Sequence, residues 1–376
     1  MKDHTAIPRS SPEFRSGSAR RIAILFQDFA DGGTERSMIR LANNWSQARD
    51  VHILCGSAEG PSRALVAPDV TVHEMRPAIA RSPLSRIRLG KAIAKHLPSI
   101  EPDVIVGPGN HLLPVIATLG ETRAPIVCKL SNPLDLPAEY RVPRGLLRWA
   151  TARACRSVNA LIAMSPALAA EAAKIAHAKE IRVVAEPIDV RPGLFKKTGE
   201  KQAIRILYAG RLVRQKSVAA VITAMTAMPA DTELNIAGDG PDFNNLKALA
   251  KRLRVASRTR FLGRVDCVKS VLSDADLLVL PSLYEGYPAV LVEAITAGVP
   301  VVTTACSPAI SEILCHSSFG IVSRQYELAA SIMRAADLRV DVSASAALAQ
   351  RHNINTSASS WLRTLDEIAG RILEET

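Results

Sequence analysis

The stretch LPSLYEGYPAVLVEAITAGVPVV, Leu280 to Val302, decides how the rest of the chain is read. The apolar run Leu277 to Leu280 predicts a buried strand, and Pro281, which has no N–H to give a ladder, ends it. An irregular turn follows, carrying Glu285 and Gly286. Pro288 suits the first turn of a helix, and Gly298 suits its end before the next apolar run, Val299 to Thr303. Strand, turn, helix and strand within so few residues is the unit of a parallel sheet.

Working outward, the same alternation fills the chain. Short apolar runs at Ile22 to Phe26, Val51 to Leu54, Val70 to His73, Val104 to Val106, Ile126 to Cys128, Leu161 to Ala163 and Ile181 to Val184 alternate with amphipathic segments. A second series comprises Ile204 to Ala209, Glu233 to Ala237, Arg260 to Leu262, Leu277 to Leu280, Val299 to Thr303 and Gly320 to Val322. Both series predict doubly wound α/β sheets covered by helices on both faces. The expected organisation is a polar, disordered arm over 1–19, an N-terminal Rossmann-like domain over 20–190, a linker over 191–202 and a C-terminal Rossmann-like domain over 203–356. A closing helix over 357–376 follows from the helical spacing of Trp361, Leu362, Leu365, Ile368 and Ile372. Ligands of such sheets bind outside the carboxyl ends of the strands, so a cleft between the two domains is the expected site.

Two turns carry the chemistry. The backbone amides of Ala289, Val290 and Leu291, at the start of the helix after Pro288, predict an anion site at the positive end of a helix dipole. Glu285 lies in the turn before that helix and Glu293 inside it, and carboxylates accept well from vicinal hydroxyls of sugar or ribose. In ILYAGRLVRQKS, Ile206 to Ser217, a strand ends at Ala209, Gly210 turns the chain, and Arg211 and Lys216 follow. Two cations placed there suit a diphosphate, Arg as a bidentate fork and Lys as a point charge. Each feature also has a plainer reading, as solvated helix-end acids and exposed basic turn residues.

Composition bounds the function classes. The 376 residues are 48% hydrophobic and 22% charged, enough to fill two cores. No run approaches the roughly 18 apolar residues of a membrane-spanning helix, and the first twenty residues lack a secretory signal, so the expectation is a cytoplasmic protein. Six dispersed cysteines without a CxxC spacing point to neither a disulfide framework nor a zinc site. The net charge of +11 calls for acidic partners, but with 4% aromatics and no nucleic-acid motif, a phosphorylated substrate or membrane surface is preferred over nucleic acid.

Taken together, DGGTERSMIRLANN at 31–44, GRLVRQK, IAGDGP, FLGRV and EGYPAVLVEAITAGVPVV resemble glycosyltransferase family 4 over nearly the whole chain. The resemblance implies the GT-B fold and retaining transfer from a nucleoside diphosphate sugar, with no metal or other cofactor. It implies that Arg211 and Lys216 bind the diphosphate, that Glu285 contacts the sugar and that Glu293 contacts the ribose. It places Gly32 and Gly33 near the diphosphate through a backbone able to take positive φ. It sets Arg264 and Val265 at the base, and His111, after DVIVGPGN, near the transferred sugar. The rest of the donor surface implied by likeness is Gly210, Gly238, Gly286, Tyr287, Pro288, Ala289, Val290 and Leu291. Two positions depart from the family: Ser217 where glycine usually follows the lysine, and Glu186 where asparagine usually precedes Pro-Ile-Asp.

Other features stay open at this level. His111 could be a structural hydrogen-bonding residue, and Asp274 and Asp276 are expected to flank the sheet rather than hold a cation. Arg76, Arg81, Arg86, Arg88, Lys91 and Lys95, with no intervening acid, and Arg141, Arg144, Arg148, Arg153 and Arg156 beside Trp149 suggest basic helices on an anionic membrane, or else solvated faces. The acceptor is expected to be a lipid-linked or glycan intermediate of lipopolysaccharide or exopolysaccharide synthesis. The alternatives are a sugar-nucleotide epimerase of the same fold and a catalytically silent nucleotide-sugar scaffold.

Overall fold

A computed structural model describes residues 17–30, 32–82, 84–134, 144–176, 178–190, 203–265 and 267–375. The chain divides into two units, one of the residues up to Met164, Ala169–Pro187 and those from Ile354 on, the other of Ser165–Leu168 and Ile188–Asn353.

The first unit contains seven strands: β1 (Arg21–Phe26), β2 (Asp50–Cys55), β3 (Val70–Glu74), β4 (Val104–Gly107), β5 (Ile126–Lys129), β6 (Ala160–Ala163) and β7 (Ile181–Val183). They form one sheet in the order β3-β2-β1-β4-β5-β6-β7, and every pairing is parallel. The central strands are apolar on both faces because helices cover both, which is why they read as continuous hydrophobic runs rather than alternating ones.

The C-terminal helix, Ile354–Glu375, belongs to this unit. Its Trp361, Leu362, Leu365 and Ile368 enter the same buried cluster as β1 and the helix Gly33–Trp45. Trp361 meets Trp45 with ring centroids 6.0 Å apart. The side chain of Ile372 lies outside the described residues. Asp366 of this helix accepts from the Ala19 amide at 2.9 Å and pairs with the buried Arg49 at 3.0 Å. Ala19, expected within the arm, is therefore fully buried, while 1–16 lie outside the described residues, as does the expected linker over 191–202.

The second unit holds β8 (Arg205–Ala209), β9 (Glu233–Ala237), β10 (Thr259–Gly263), β11 (Leu277–Leu280), β12 (Val301–Thr303) and β13 (Gly320–Val322), in the order β10-β9-β8-β11-β12-β13 and again all parallel. In both sheets the strand order reverses beside the first strand, between β1 and β4 and between β8 and β11. At such a point the loops leaving two adjacent strands diverge to opposite faces and leave a crevice. Asp276 flanks the second sheet as expected: its Oδ2 accepts from the Arg205 amide at 2.8 Å and ties the starts of β8 and β11. Among the described residues no helix is long and apolar enough to cross a membrane.

One buried charge pair accounts for the departure at Glu186. Lys129, at the carboxyl end of β5, places Nζ 2.7 Å and 2.6 Å from the two Glu186 oxygens and 2.9 Å from Ser37 Oγ. Both charged side chains are buried, so an asparagine at 186 would leave an ammonium without a counter-charge. Lys129→Met alone is expected to lower unfolding stability by about 3–5 kcal/mol by leaving a buried carboxylate uncompensated, and Lys129→Met with Glu186→Met to recover most of it. Urea unfolding of the two variants checks this.

Candidate active site

Two loops at the reversal point of the second sheet build the site. The first leaves β8 through Gly210 and carries Arg211 to Ser217. The second leaves β11 at Pro281 and runs to the helix Ala289–Thr296. Because β8 and β11 are hydrogen-bonded neighbours, with Leu278 opposite Leu207, the loops start side by side.

They are stitched together by groups that sequence reading did not single out. The Leu283 amide donates to Gln215 O, and Gln215 Nε2 donates to Tyr284 O, both at 2.8 Å. Gln325 Nε2 reaches Ser217 Oγ at 3.1 Å and Pro281 O at 3.2 Å. From β12 and the loop after it, Thr304 Oγ1 donates to Ser282 O, and Ser307 Oγ donates to Gly286 O, each at 2.5 Å. Gln215, between two basic residues, has no periodicity or motif to mark it; only the pairing of distant loops gives it a role.

Lys216 Nζ lies 2.5 Å from Glu285 Oε1. That same oxygen accepts from Ser282 Oγ at 2.6 Å, and the Glu285 amide donates to Cys306 O at 2.7 Å. Glu285 is buried, Lys216 half-buried and Arg211 exposed. The Arg211 carbonyl accepts from Tyr208 Oη at 2.9 Å. Burial raises the Tyr208 phenol pKa and Glu285 adds to it, while Arg211 opposes, so both charges act on one buried ring. Burial, then the Glu285 carboxylate, pushes the Cys306 thiol up to about 11, which makes it inert at neutral pH. Glu293 sits half-buried in the helix beyond. The two cations and the carboxylate Glu285 expected to act together are thus set on adjacent loops of one unit.

The backbone floor of this site requires glycine. A Cβ on Gly238, which follows β9 with φ +146°, would lie 1.9 Å from Gly210 O. The two loops approach each other through their bare backbones, and the Gly238 amide donates to Gly263 O at 2.7 Å. Arg264 and Val265 follow directly, the first exposed and the second half-buried.

Some expectations need correction. Of the three amides at the helix start, Ala289 N donates to Tyr287 O and Leu291 N to Pro288 O, because the chain turns tightly over Pro288. Only Val290 N is left without such a backbone partner among the described residues. Tyr287 is held by its hydroxyl, 2.8 Å from His352 Nε2. Gly32 and Gly33 do not use positive φ: Gly32 is extended at φ −122°, Gly33 opens the helix Gly33–Trp45, and a Cβ on Gly33 would meet nothing within 4 Å. Ser217, where glycine was expected, does adopt the left-handed conformation, φ 49° and ψ 38°, and its hydroxyl takes the bond from Gln325.

In the first unit, His111 follows β4 and lies against bare backbone: a Cβ on Gly109 would stand 2.7 Å from its Nδ1. Burial first, then Arg81 and Arg86, push the imidazole down to about 4, with Asp28 opposing, so it is neutral at pH 7. Asp28, after β1, is bound by Arg81 through Nε at 2.5 Å and Nη2 at 2.8 Å. Burial would raise the Asp28 carboxyl, but these bonds and the Arg81 charge hold it below the usual range. Among the described residues, no group of three His, Cys, Asp or Glu side chains could hold a metal ion.

Two doubly wound parallel sheets, with a lysine and a carboxylate paired where the second reverses, define an α/β protein of the GT-B type. The family model described as glycosyl transferases group 1 matches residues 190–353, and that of glycosyltransferase family 4 matches 31–191. The chain belongs to glycosyltransferase family 4. It is 32% identical over 152 residues to the N-acetyl-alpha-D-glucosaminyl L-malate synthase of Bacillus anthracis, a match covering 38% of this chain and 40% of that one. It is 27% identical over 135 residues to the lipopolysaccharide 1,6-galactosyltransferase of Salmonella typhimurium, covering 34% and 38%. The chain spans between 27% and 45% of the length of these and other curated relatives it matches. Its fold is similar to that of Anabaena Alr3699/HepE, solved in complex with UDP and glucose, with a TM-score of 0.76 and 22% identity over 92% of this chain and 98% of that one.

Two outcomes follow from this geometry. Ser217→Ala keeps the left-handed strain and loses the Gln325 bond, whereas Ser217→Gly loses the bond but relieves the strain, so the glycine variant should be the more stable by about 1 kcal/mol in chemical denaturation. His111, with a folded pKa below its ordinary 6.5, favours folding fully above pH 6.5 and progressively less as pH falls from 6.5 towards 4. Thermal melts of His111→Gln across that window should show a shallower acid limb than the parent protein.

Proposed function

We propose that the protein moves a sugar from a nucleoside diphosphate sugar to an acceptor hydroxyl with retention of anomeric configuration. The observation that carries this reading is the Lys216–Glu285 pair at the reversal point of the second sheet, with Arg211 beside it. A diphosphate approaching that point gains a point charge already positioned by a carboxylate, together with an exposed guanidinium able to fold onto phosphate oxygens. Glu285, in the turn before the helix Ala289–Thr296, can accept from sugar hydroxyls, and Glu293, inside that helix, from the ribose. Nucleotide-sugar chemistry is further supported by the similar fold of a protein solved with UDP and glucose.

In this reading the bond between C1 and the phosphate oxygen breaks while a bond from C1 to the acceptor oxygen forms on the same face. The acceptor proton passes to the departing phosphate oxygen. Negative charge growing on the diphosphate is met by Arg211, Lys216 and the Val290 amide. These groups, rather than a metal ion, supply the stabilisation, and transfer should persist in the presence of a chelator. The acceptor we propose is a lipid-linked glycan or a lipopolysaccharide or exopolysaccharide intermediate at a membrane. Relatives named for lipopolysaccharide synthesis and the basic exterior of the first unit support it.

Arg211→Ala and Lys216→Ala should each lower turnover by on the order of a hundredfold, the usual effect of removing one preorganised charge stabiliser. Glu285→Ala should abolish transfer while leaving the affinity for free nucleoside diphosphate little changed. Calorimetry with UDP and a transfer assay over a panel of nucleotide sugars measure both. Unchanged kinetics in both cation variants would remove the diphosphate assignment, and product formed without any acceptor would indicate an epimerase instead.

A further inference from the structure

The first unit contains a second cationic feature, far in sequence from the donor loops. The helix Arg144–Cys155 and the residues just after it present Arg148, Trp149, Ala152, Arg153 and Arg156 to one cavity of about 260 Å³. The spacing of these five follows the helical period, so they form a single stripe. Lys174 and Ile175, just past the helix Pro166–Ala173, close the other side. Of the seven described residues that line it, four are cations and none is an acid. Guanidinium and ammonium groups gathered around one concavity attract an anion.

The apolar residues identify what kind of anion. Trp149 is 62% exposed and lines the cavity, and Leu146, one turn earlier, is 55% exposed. A free anion would need neither. An indole and a leucine beside a guanidinium cluster fit the boundary between headgroups and acyl chains, where tryptophan partitions and basic residues meet phosphates. We propose that this cavity binds the phosphate headgroup of an anionic phospholipid and docks the first unit on a membrane surface through Trp149 and Leu146. This goes beyond the membrane part of the proposed function by naming the residues and the lipid chemistry, and it does not depend on the donor assignment.

The helix Ser85–Ile100 supplies an internal control. It exposes Arg86, Arg88 and Lys91 beside Leu84 and Ile87, an equally basic exterior of the same unit. The full-length chain should sediment with vesicles of phosphatidylglycerol in phosphatidylcholine and not with pure phosphatidylcholine, with a blue shift of tryptophan emission. The triple change Arg153→Gln, Arg156→Gln, Lys174→Gln should weaken vesicle binding by on the order of a hundredfold, about one decade or slightly less per cation removed near the surface. Trp149→Ala should weaken it and abolish the blue shift. Arg86→Gln, Arg88→Gln, Lys91→Gln, equal in charge, should cost clearly less.

Equal losses from the two triple variants would overturn the proposal in favour of a diffuse basic field. Complete release by inorganic phosphate at matched ionic strength would overturn the lipid as occupant and leave a free-phosphate pocket, and binding to polyuridylate as tight as to the vesicles would favour a nucleic-acid surface. Thermal midpoints and UDP affinity of every variant should match the parent, so failure here is separate from failure of the donor site.

Discussion

The parallel pairing of β8 with β11 is the constraint on which the candidate site depends. Two strands that run side by side but feed helices on opposite faces must send their loops apart, and the polar backbone left between them needs partners. Here the partners are side chains: Gln215 and Gln325 bridge the loops, Ser307 and Thr304 hold the second from beneath, and Lys216 closes on Glu285. A carboxylate as buried as Glu285 is stable there because an ammonium and a hydroxyl meet the same oxygen.

That arrangement links stability to chemistry. In the proposed reading Lys216, which meets Glu285 in this structure, is also a charge for the diphosphate, so it is in place before a ligand arrives. The bare backbones of Gly210 and Gly238, pressed together below, leave no room for a side chain to intrude. The first unit repeats the layout with other residues: Asp28 clasped by Arg81 after β1, and a neutral His111 after β4. Two units with one topology thus carry different electrostatics, a cation–carboxylate pair in one and a guanidinium beside an uncharged imidazole in the other.

The two departures from the family pattern show how local and tertiary preferences are reconciled. Serine at 217 keeps a left-handed turn that glycine would enter more easily, and its hydroxyl takes up a bond from Gln325, more than a hundred residues away. Glutamate at 186 is buried because Lys129, on a different strand, is buried against it. Each is matched by a residue that no local window contains.

The sequence by itself determined the alternation of strand and helix, nearly every strand to within a residue or two, and that Arg211, Lys216 and Glu285 lie in the turns that follow two of those strands. Those are local facts: buried parallel strands are apolar throughout, and turns are marked by glycine, proline and charge. Tertiary structure alone decided that Lys216 pairs with Glu285, that two of the three helix-start amides are already bonded, that Gly32 and Gly33 take no positive φ, and that the last helix packs with the first unit against Trp45. It also brought Arg148, Arg153, Arg156 and Lys174 around one cavity. The physical reason is range: propensity and periodicity act over a few residues, whereas hydrogen-bond satisfaction, charge pairing and packing join residues brought together only when the sheets close.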